Sequence, residues 1–98
     1  MPEITIVYWR DIPAQVIAGR GRAAAKIQLT ERFEQAIDRA AMKSGARDAD
    51  AYLAQWRRAP AGPASGEVQD AAQETAARLE AEYDDARLRA LIDNHGHA

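Results

Sequence analysis

The spacing of apolar residues changes along the chain and predicts strands in the first thirty positions and helices after them. Residues 3–9 (EITIVYW) are rich in β-branched and aromatic side chains that alternate between two faces, which is typical of a central strand. Asp11, Ile12 and Pro13 interrupt this alternation. Because aspartate can hydrogen-bond the backbone two residues on and proline fixes φ, these residues predict a turn.

Residues 15–29 predict a β-hairpin. Gly19 and Gly21 can adopt a positive φ at little cost, which suits a tight or bulged connection. In the second arm, alternation places Ala25, Ile27 and Leu29 inward and the polar residues between them outward. This arm is therefore predicted to be a half-buried strand.

Two short helices are predicted next. Thr30 is a favourable N-cap for the first helix and Gly45 a favourable C-terminal stop. The apolar stripe of this helix is Phe33, Ala36, Ile37, Ala40 and Ala41. A second helix is predicted from Asp48, and its stripe is Ala49, Tyr52, Leu53 and Trp56. The prolines and glycines of residues 60–66 then predict a linker.

Residues 67–94 contain no helix breaker and predict one long, acidic, alanine-rich helix. Its narrow apolar seam consists of Val68, Ala72, Thr75, Leu79, Tyr83, Ala86 and Ala90, widened near the end by Leu88, Leu91 and Ile92. A seam this thin suits packing across the body of the same chain or against a helix of another chain. Residues 95–98 are expected to fray.

Together these elements predict an α+β fold, with a three-stranded antiparallel sheet from residues 3–30, two short helices on one face and a longer C-terminal helix. The chain then divides into a sheet-and-helix domain at residues 1–59, a linker at 60–66, the acidic helix at 67–94 and a tail at 95–98. Three strands and two short helices make only a small core, so we expect a further helix or a partner to complete it.

Composition narrows the function by exclusion. The 98 residues include no cysteine, which excludes disulfides and thiolate chemistry. No apolar run approaches the roughly 20 residues of a transmembrane helix, and the N-terminus lacks a signal-peptide pattern, so a cytoplasmic protein is expected. The net charge of −2 divides into +3 over residues 1–59 and −5 over residues 60–98. This asymmetry indicates an internal contact between a basic body and an acidic arm, two surfaces for different partners, or simply two separately solvated surfaces.

The aromatic and basic run that precedes the first turn has two interpretations. Arg10 and Asp11 can simply be a solvated strand end. Alternatively, Trp9, Arg10 and Gln15 line a recognition surface, since tryptophan and arginine dominate interface hot spots.

The hairpin sequence GRGR supplies a weak candidate anion-binding cluster of Arg20, Arg22 and Lys26, which could hold a phosphate through charge and backbone N–H groups. The spacing of a P-loop or of a dinucleotide fold is missing. An ordinary charged hairpin is the alternative. The isoelectric point of about 5.6 argues against nucleic-acid binding.

No catalytic constellation is evident. Glu34 and Asp38 lie four residues apart on one exposed helix ridge, without a nearby histidine that would complete an acid–base set. His95 and His97 lie in the tail, where their spacing would hold a metal only weakly. We therefore expect no metal and no cofactor, and the sequence favours a non-catalytic binding or accessory protein.

Three segments in order, VYWRDIPAQV, ERFEQAIDRAAM and DAYLAQWRR, resemble the bacterial virulence factor domain, which is related to the C-terminal part of conserved virulence factor C. The chain looks like a small stand-alone version. The resemblance covers about residues 3–58 and leaves the acidic helix unmatched. The resemblance implies a role in the assembly of larger complexes. It also implies a loose association of stand-alone members with methyltransferase and folate-dependent one-carbon gene sets. The motif positions that it emphasises are Trp9, Arg10, Asp11, Pro13, Gln15, Asp38, Arg39, Tyr52 and Trp56.

We therefore expect a protein-interaction module that acts as an accessory subunit of a larger complex or as a homo-oligomer. Its expected partner-binding residues are Trp9, Arg10, Asp11, Gln15, Asp38, Arg39 and Trp56. One alternative is an accessory protein of a one-carbon or cofactor-handling enzyme that contacts the cofactor through the basic hairpin. A second alternative is weak nucleic-acid binding through the same hairpin.

Overall fold

Four strands form one antiparallel sheet in a computed structural model that describes residues 3–45, 49–63 and 66–98. The strands are β1 (Glu3–Trp9), β2 (Ile12–Ala18), β3 (Ala25–Gln28) and β4 (Trp56–Pro63), in the spatial order β3-β2-β1-β4. The helices are α1 (Glu31–Ser44), α2 (Ala49–Leu53), α3 (Val68–Glu82) and α4 (Asp85–Asp93), and a 3₁₀ turn covers Gly21–Ala23. The fold is α+β, as the sequence predicts, with β1 in the centre of the sheet.

The predicted number of strands is wrong, because β4 occupies the region predicted to hold the end of the second helix and the linker. Helix α2 ends at Leu53, and Trp56 pairs with Trp9 across the sheet instead of continuing a helical stripe. Proline lacks the N–H that a sheet ladder needs, and it is tolerated on edge strands, where one side of the backbone has no partner. Pro60 and Pro63 both lie on this edge strand. The predicted helix start, Asp48, lies outside the described residues.

Helices cover one face of the sheet. Helix α3 packs on β2 and β3, and α1 packs on β2 and α4. The largest fully buried side chains of the resulting core are Trp9, Phe33, Ile12, Val16 and Pro13. The opposite face, here called the open sheet face, is defined by cross-strand partners that lie outside this core, namely Thr5, Val7, Gln15, Ile17, Lys26, Gln28 and Arg58.

The predicted long C-terminal helix is two helices, α3 and α4. The chain turns at Tyr83 and Asp84, and the carboxylate of Asp84 accepts a hydrogen bond from the backbone N–H of Arg87 at 2.8 Å. Asp84 is therefore the N-cap of a new helix. The change of direction leaves the predicted seam residues Ala86 and Ala90 exposed.

The acidic arm docks on the basic body of the same chain. Glu80 on α3 accepts hydrogen bonds from the backbone N–H of Thr30 at 2.8 Å and from its hydroxyl at 2.9 Å, and it pairs with Arg32 at 3.0 Å. Burial raises the pKa of Glu80, but these hydrogen bonds outweigh it and hold the pKa below its ordinary value. Of the interpretations of the charge asymmetry, the structure therefore contains the internal contact.

Candidate partner-binding site

The stretch from Trp9 to Ile12 is a two-residue hairpin turn, with Arg10 and Asp11 at its tip. Arg10 has φ of +53°, a left-handed conformation that is uncommon for any residue except glycine. The surrounding structure fixes it there: its guanidinium donates to the side-chain oxygen of Gln55 at 3.2 Å and to the carbonyl of His95 at 2.7 Å. Arg10 therefore acts within the fold, holding the C-terminal segment against the turn.

Asp11 is also satisfied within the chain. Its carboxylate accepts from Arg57 at 3.0 Å and from the backbone N–H of Ala98 at 2.7 Å, and its backbone N–H donates to the carbonyl of Gly96 at 2.8 Å. The hydrogen bond from Ala98, opposed by burial and aided by Arg57, lowers the pKa of Asp11. Residues 95–98, expected to fray, are therefore hydrogen-bonded to the first turn.

Trp9 is fully buried and presents no surface to a partner in this conformation. Its indole N–H donates to the carbonyl of Tyr52 at 3.0 Å, and its ring stacks on that of Tyr52 with centroids 5.9 Å apart. The indole of Trp9 therefore holds Tyr52 and helix α2 in place.

Two of the sequence-predicted residues, Asp38 and Trp56, line one small pocket of about 180 Å³ between α1, α2 and the start of β4. We call this the aromatic–acidic pocket and define it by Glu34, Asp38, Tyr52 and Trp56. Leu29 and Ile37 contribute apolar wall. The pocket thus combines an apolar interior with two carboxylates and two aromatic rings.

The geometry of this pocket follows from its elements. Glu34 and Asp38 are one helical turn apart on α1, so both carboxylates project from the same flank. The rings of Tyr52 and Trp56 meet nearly at right angles, with centroids 5.9 Å apart, and form a corner. Neither carboxylate makes an ion pair within the part of the chain that the structure describes.

The electrostatic character of the pocket is negative. Burial and, after it, the charges of Asp38 and Glu34 raise the pKa of the Tyr52 hydroxyl. The same carboxylates that disfavour a tyrosinate would attract a cation. An aromatic corner offers a cation an additional favourable surface through the ring quadrupole. Chemically, the pocket is suited to a positively charged side chain with an apolar stem.

The remaining predicted partner-binding residues lie elsewhere. Gln15 is half-buried on the open sheet face, opposite Val7. Arg39 is exposed on another flank of α1 and lines a groove shared with α4, not the aromatic–acidic pocket. The seven predicted residues therefore do not form one surface.

The predicted anion-binding cluster is partly assembled on the open sheet face. Arg20 and Lys26 line a shallow groove of about 330 Å³ together with Arg58 from β4. Arg20 is already paired with Glu3 at 2.9 Å, and Arg22 lies in the adjacent 3₁₀ turn outside this lining. Arg58 was not anticipated from the sequence because its strand was not.

The part of the chain that the structure describes contains no helix with the length and apolar character to cross a membrane. Within residues 3–45, 49–63 and 66–98, no group of three or more histidine, cysteine, aspartate or glutamate residues could hold a metal ion.

The fold and pocket define a small α+β domain with a four-stranded antiparallel sheet and helices on one face. A sequence model of the virulence factor family matches residues 7–92, so the chain belongs to that family. The match extends past residue 58 and includes α3 and most of α4, which the motif resemblance left unmatched. No curated protein and no solved structure matches the chain.

Proposed function

We propose that the protein is a non-catalytic interaction module that docks a basic side chain of a protein partner in its aromatic–acidic pocket. The observation that carries the proposal is the convergence of Asp38 and Trp56, which belong to separate motifs, with Glu34 and Tyr52 around one cavity. Two carboxylates free of ion pairs among the described residues give the pocket an unneutralised negative charge. That charge supports a cationic occupant.

The size of the pocket also supports this occupant. A volume of about 180 Å³ is too small for a drug-sized ligand, which needs roughly 300 Å³ or more. It suits a single side chain. An arginine or lysine would place its apolar stem against Leu29 and Ile37 and its charge between the carboxylates, with the aromatic corner beside it.

The direct test uses a defined peptide, acetyl-Gly-Gly-Arg-Gly-Gly-amide, and its glutamine counterpart. We expect the arginine peptide to bind and the double variant Glu34→Gln, Asp38→Asn to weaken that binding by about tenfold, since each lost charge contact contributes on the order of 0.5–1 kcal/mol at an exposed site. The matched control is Asp70→Asn, Glu74→Gln, which removes a carboxylate pair of the same spacing from α3. Equal binding by both double variants would contradict the proposal.

A second candidate function is favoured by the cations of the open sheet face. Lys26 and Arg58 have no ion-pair partner among the described residues and lie on neighbouring parts of one groove, which supports an accessory protein that holds an anionic group of an enzyme's cofactor. Among the described residues, none of those that line this groove is aromatic, so they offer no platform for the base stacking that single-stranded nucleic acid would use. Titration with inorganic pyrophosphate, comparing the wild type with Lys26→Ser, Arg58→Ser, tests this candidate. A flat response in the wild type would contradict it.

A further inference from the structure

A groove larger than the aromatic–acidic pocket lies beside the first turn, whose Asp11 lines it. It has a volume of about 530 Å³ and runs between the β1–β4 end of the sheet and α4. We call it the tyrosine–arginine groove and define it by Tyr8, Arg57, Tyr83 and Arg87. Tyr8, Asp11 and Arg57 of this groove belong to the segments VYWRDIPAQV and DAYLAQWRR, but the proposed function does not involve the groove.

Two arginines in this groove lie on tyrosine rings. The guanidinium carbon of Arg57 is 4.5 Å from the ring centroid of Tyr8, and that of Arg87 is 3.9 Å from the ring centroid of Tyr83. A guanidinium stacked in this way keeps its N–H groups in the plane, where they can still donate to an anion. The rings therefore hold the two cations in place without neutralising them.

One arginine of the groove has no ion-pair partner among the described residues. Asp11 is the acidic residue in the lining of the groove, and it neutralises Arg57 at 3.0 Å. Arg87 forms no ion pair within residues 3–45, 49–63 and 66–98, and its hydrogen bond at 3.3 Å goes to the backbone carbonyl of Glu82. The carboxylate of Glu82 lies 3.9 Å from Arg78. One arginine charge thus remains available to a ligand.

The rest of the lining is apolar or hydrogen-bonding. Ala59, Ala90 and Leu91 form the apolar wall, and small side chains at two of these three positions leave open space. Tyr8 and Tyr83 both line this region, and burial raises the pKa of Tyr8, so its phenol keeps the proton that it can donate. A mostly apolar cavity of this volume with a few convergent polar groups is typical of a small-molecule site.

We propose that the tyrosine–arginine groove binds a small organic anion, with a carboxylate or phosphate at Arg87 and a flat apolar body against Leu91. The one unpaired arginine, Arg87, matches a single anionic group, and the alanines leave room for the body. This inference is independent of the interaction with a basic partner, because the two sites share no residue.

The test uses phenyl phosphate and benzoate as probes, with benzyl alcohol as the neutral counterpart and inorganic phosphate as the anion without an apolar body. At least one of the two organic anions is expected to bind, and which of them binds more tightly distinguishes phosphate from carboxylate as the natural group. Benzyl alcohol and inorganic phosphate are expected to bind at least about tenfold more weakly, because the first lacks the anionic group and the second lacks the apolar body. Comparable binding of either one would overturn the proposal, as would failure of both organic anions to bind.

Two variants locate the site. Arg87→Gln is expected to weaken binding of the organic anion by about tenfold or more, whereas Arg89→Gln, on the same helix but in the groove shared with α1, should leave it unchanged. Ala90→Leu fills the groove without altering charge and should also abolish binding. The urea midpoint of each variant verifies that it folds. Equal effects of the Arg87 and Arg89 substitutions, or unchanged binding by Ala90→Leu, would place the anion elsewhere.

Discussion

Replacing Gly96 by alanine is expected to disrupt the docking of the C-terminal segment on the first turn. Gly96 has φ of +90°, and a Cβ atom added to it would lie 3.0 Å from Cζ3 of Trp9 and 3.3 Å from Cδ of Arg10. The Trp9 ring is fully buried and cannot move aside easily. The substitution therefore combines backbone strain with a steric overlap.

The expected loss of stability is the sum of these two effects. A non-glycine residue in the left-handed region costs about 1–2 kcal/mol, and overpacking against a buried ring costs about 1–3 kcal/mol. Residues 95–98 can instead detach from the turn. The loss of stability then cannot exceed the contribution of the hydrogen bonds that hold this segment in place. We therefore expect a decrease in unfolding free energy of about 2–4 kcal/mol, equivalent to a fall in Tm of at least about 8 °C in a domain of this size.

Urea unfolding followed by circular dichroism measures this loss. The matched control is Gly45→Ala at the end of α1, where φ is +81° but, chain neighbours aside, no atom of the described residues lies within 4 Å of the added Cβ. This control should lose only the strain contribution, about 1–2 kcal/mol. If the two substitutions lowered stability equally, the contact between the C-terminal segment and Trp9 would contribute nothing, and the reasoning would be refuted.

Three further predictions concern Arg32, the N-cap Asp84 and the pH dependence of stability. Arg32→Met should lower the unfolding free energy by about 2–3 kcal/mol in urea titrations, because it removes charged hydrogen bonds to the carbonyls of Glu80 and Tyr83 and to the Glu80 carboxylate; a change below 0.5 kcal/mol, roughly the value of an exposed ion pair, would contradict it. Asp84→Ala should cost about 0.5–2 kcal/mol through loss of the N-cap, with Asp84→Asn as the near-neutral control. Because the folded-state pKa values of Glu80 and Asp11 are depressed, their contribution is present at neutral pH and is lost as the pH falls below the ordinary pKa values, 4.5 for Glu80 and 3.8 for Asp11. The urea midpoint should therefore drop on acidification, and a Glu80→Gln variant should drop less steeply.

The sheet was predictable where its pattern is local. Strands β1 and β3 follow from alternation, and the Gly19–Gly21 connection follows from its glycines, all of which act over a few residues. The start of β2 was wrong, because Ile12 and Pro13 of the predicted turn belong to this strand. Strand β4 was not predictable, because WRRAPAGP has no alternation of apolar and polar residues and contains two prolines. It is a strand only because β1 presents an unpaired edge to it, which is a non-local contact that periodicity does not report.

The break between α3 and α4 left a signal in the sequence that a search for glycine and proline overlooks. Asp84 and Asp85 together are typical of a helix start, since Asp is a favoured N-cap and acidic residues suit the first turn. The sequence gives little indication that residues 95–98 dock on the first turn. This docking depends on Gly96 meeting Trp9, two residues from opposite ends of the chain.

The candidate pocket was predictable in part. Asp38 and Trp56 were identified from their motifs, and Glu34 could have been added because it lies one turn from Asp38 on the same ridge. Their convergence depends on where α2 and β4 meet α1, which no local pattern encodes. The same holds for Arg58, whose place on the open sheet face follows from the unanticipated strand.

The most direct measurement of the proposed function is an NMR titration that follows the two indole N–H signals while the arginine peptide is added. Trp9 and Trp56 serve as internal references for each other, because one is fully buried in the core and the other lines the aromatic–acidic pocket. We predict a saturable shift of the Trp56 signal, a much smaller shift of the Trp9 signal, and loss of both changes in the Glu34→Gln, Asp38→Asn variant. A Trp56 signal that does not respond to the arginine peptide, or responds equally to the glutamine peptide, would contradict recognition of a basic side chain at this pocket.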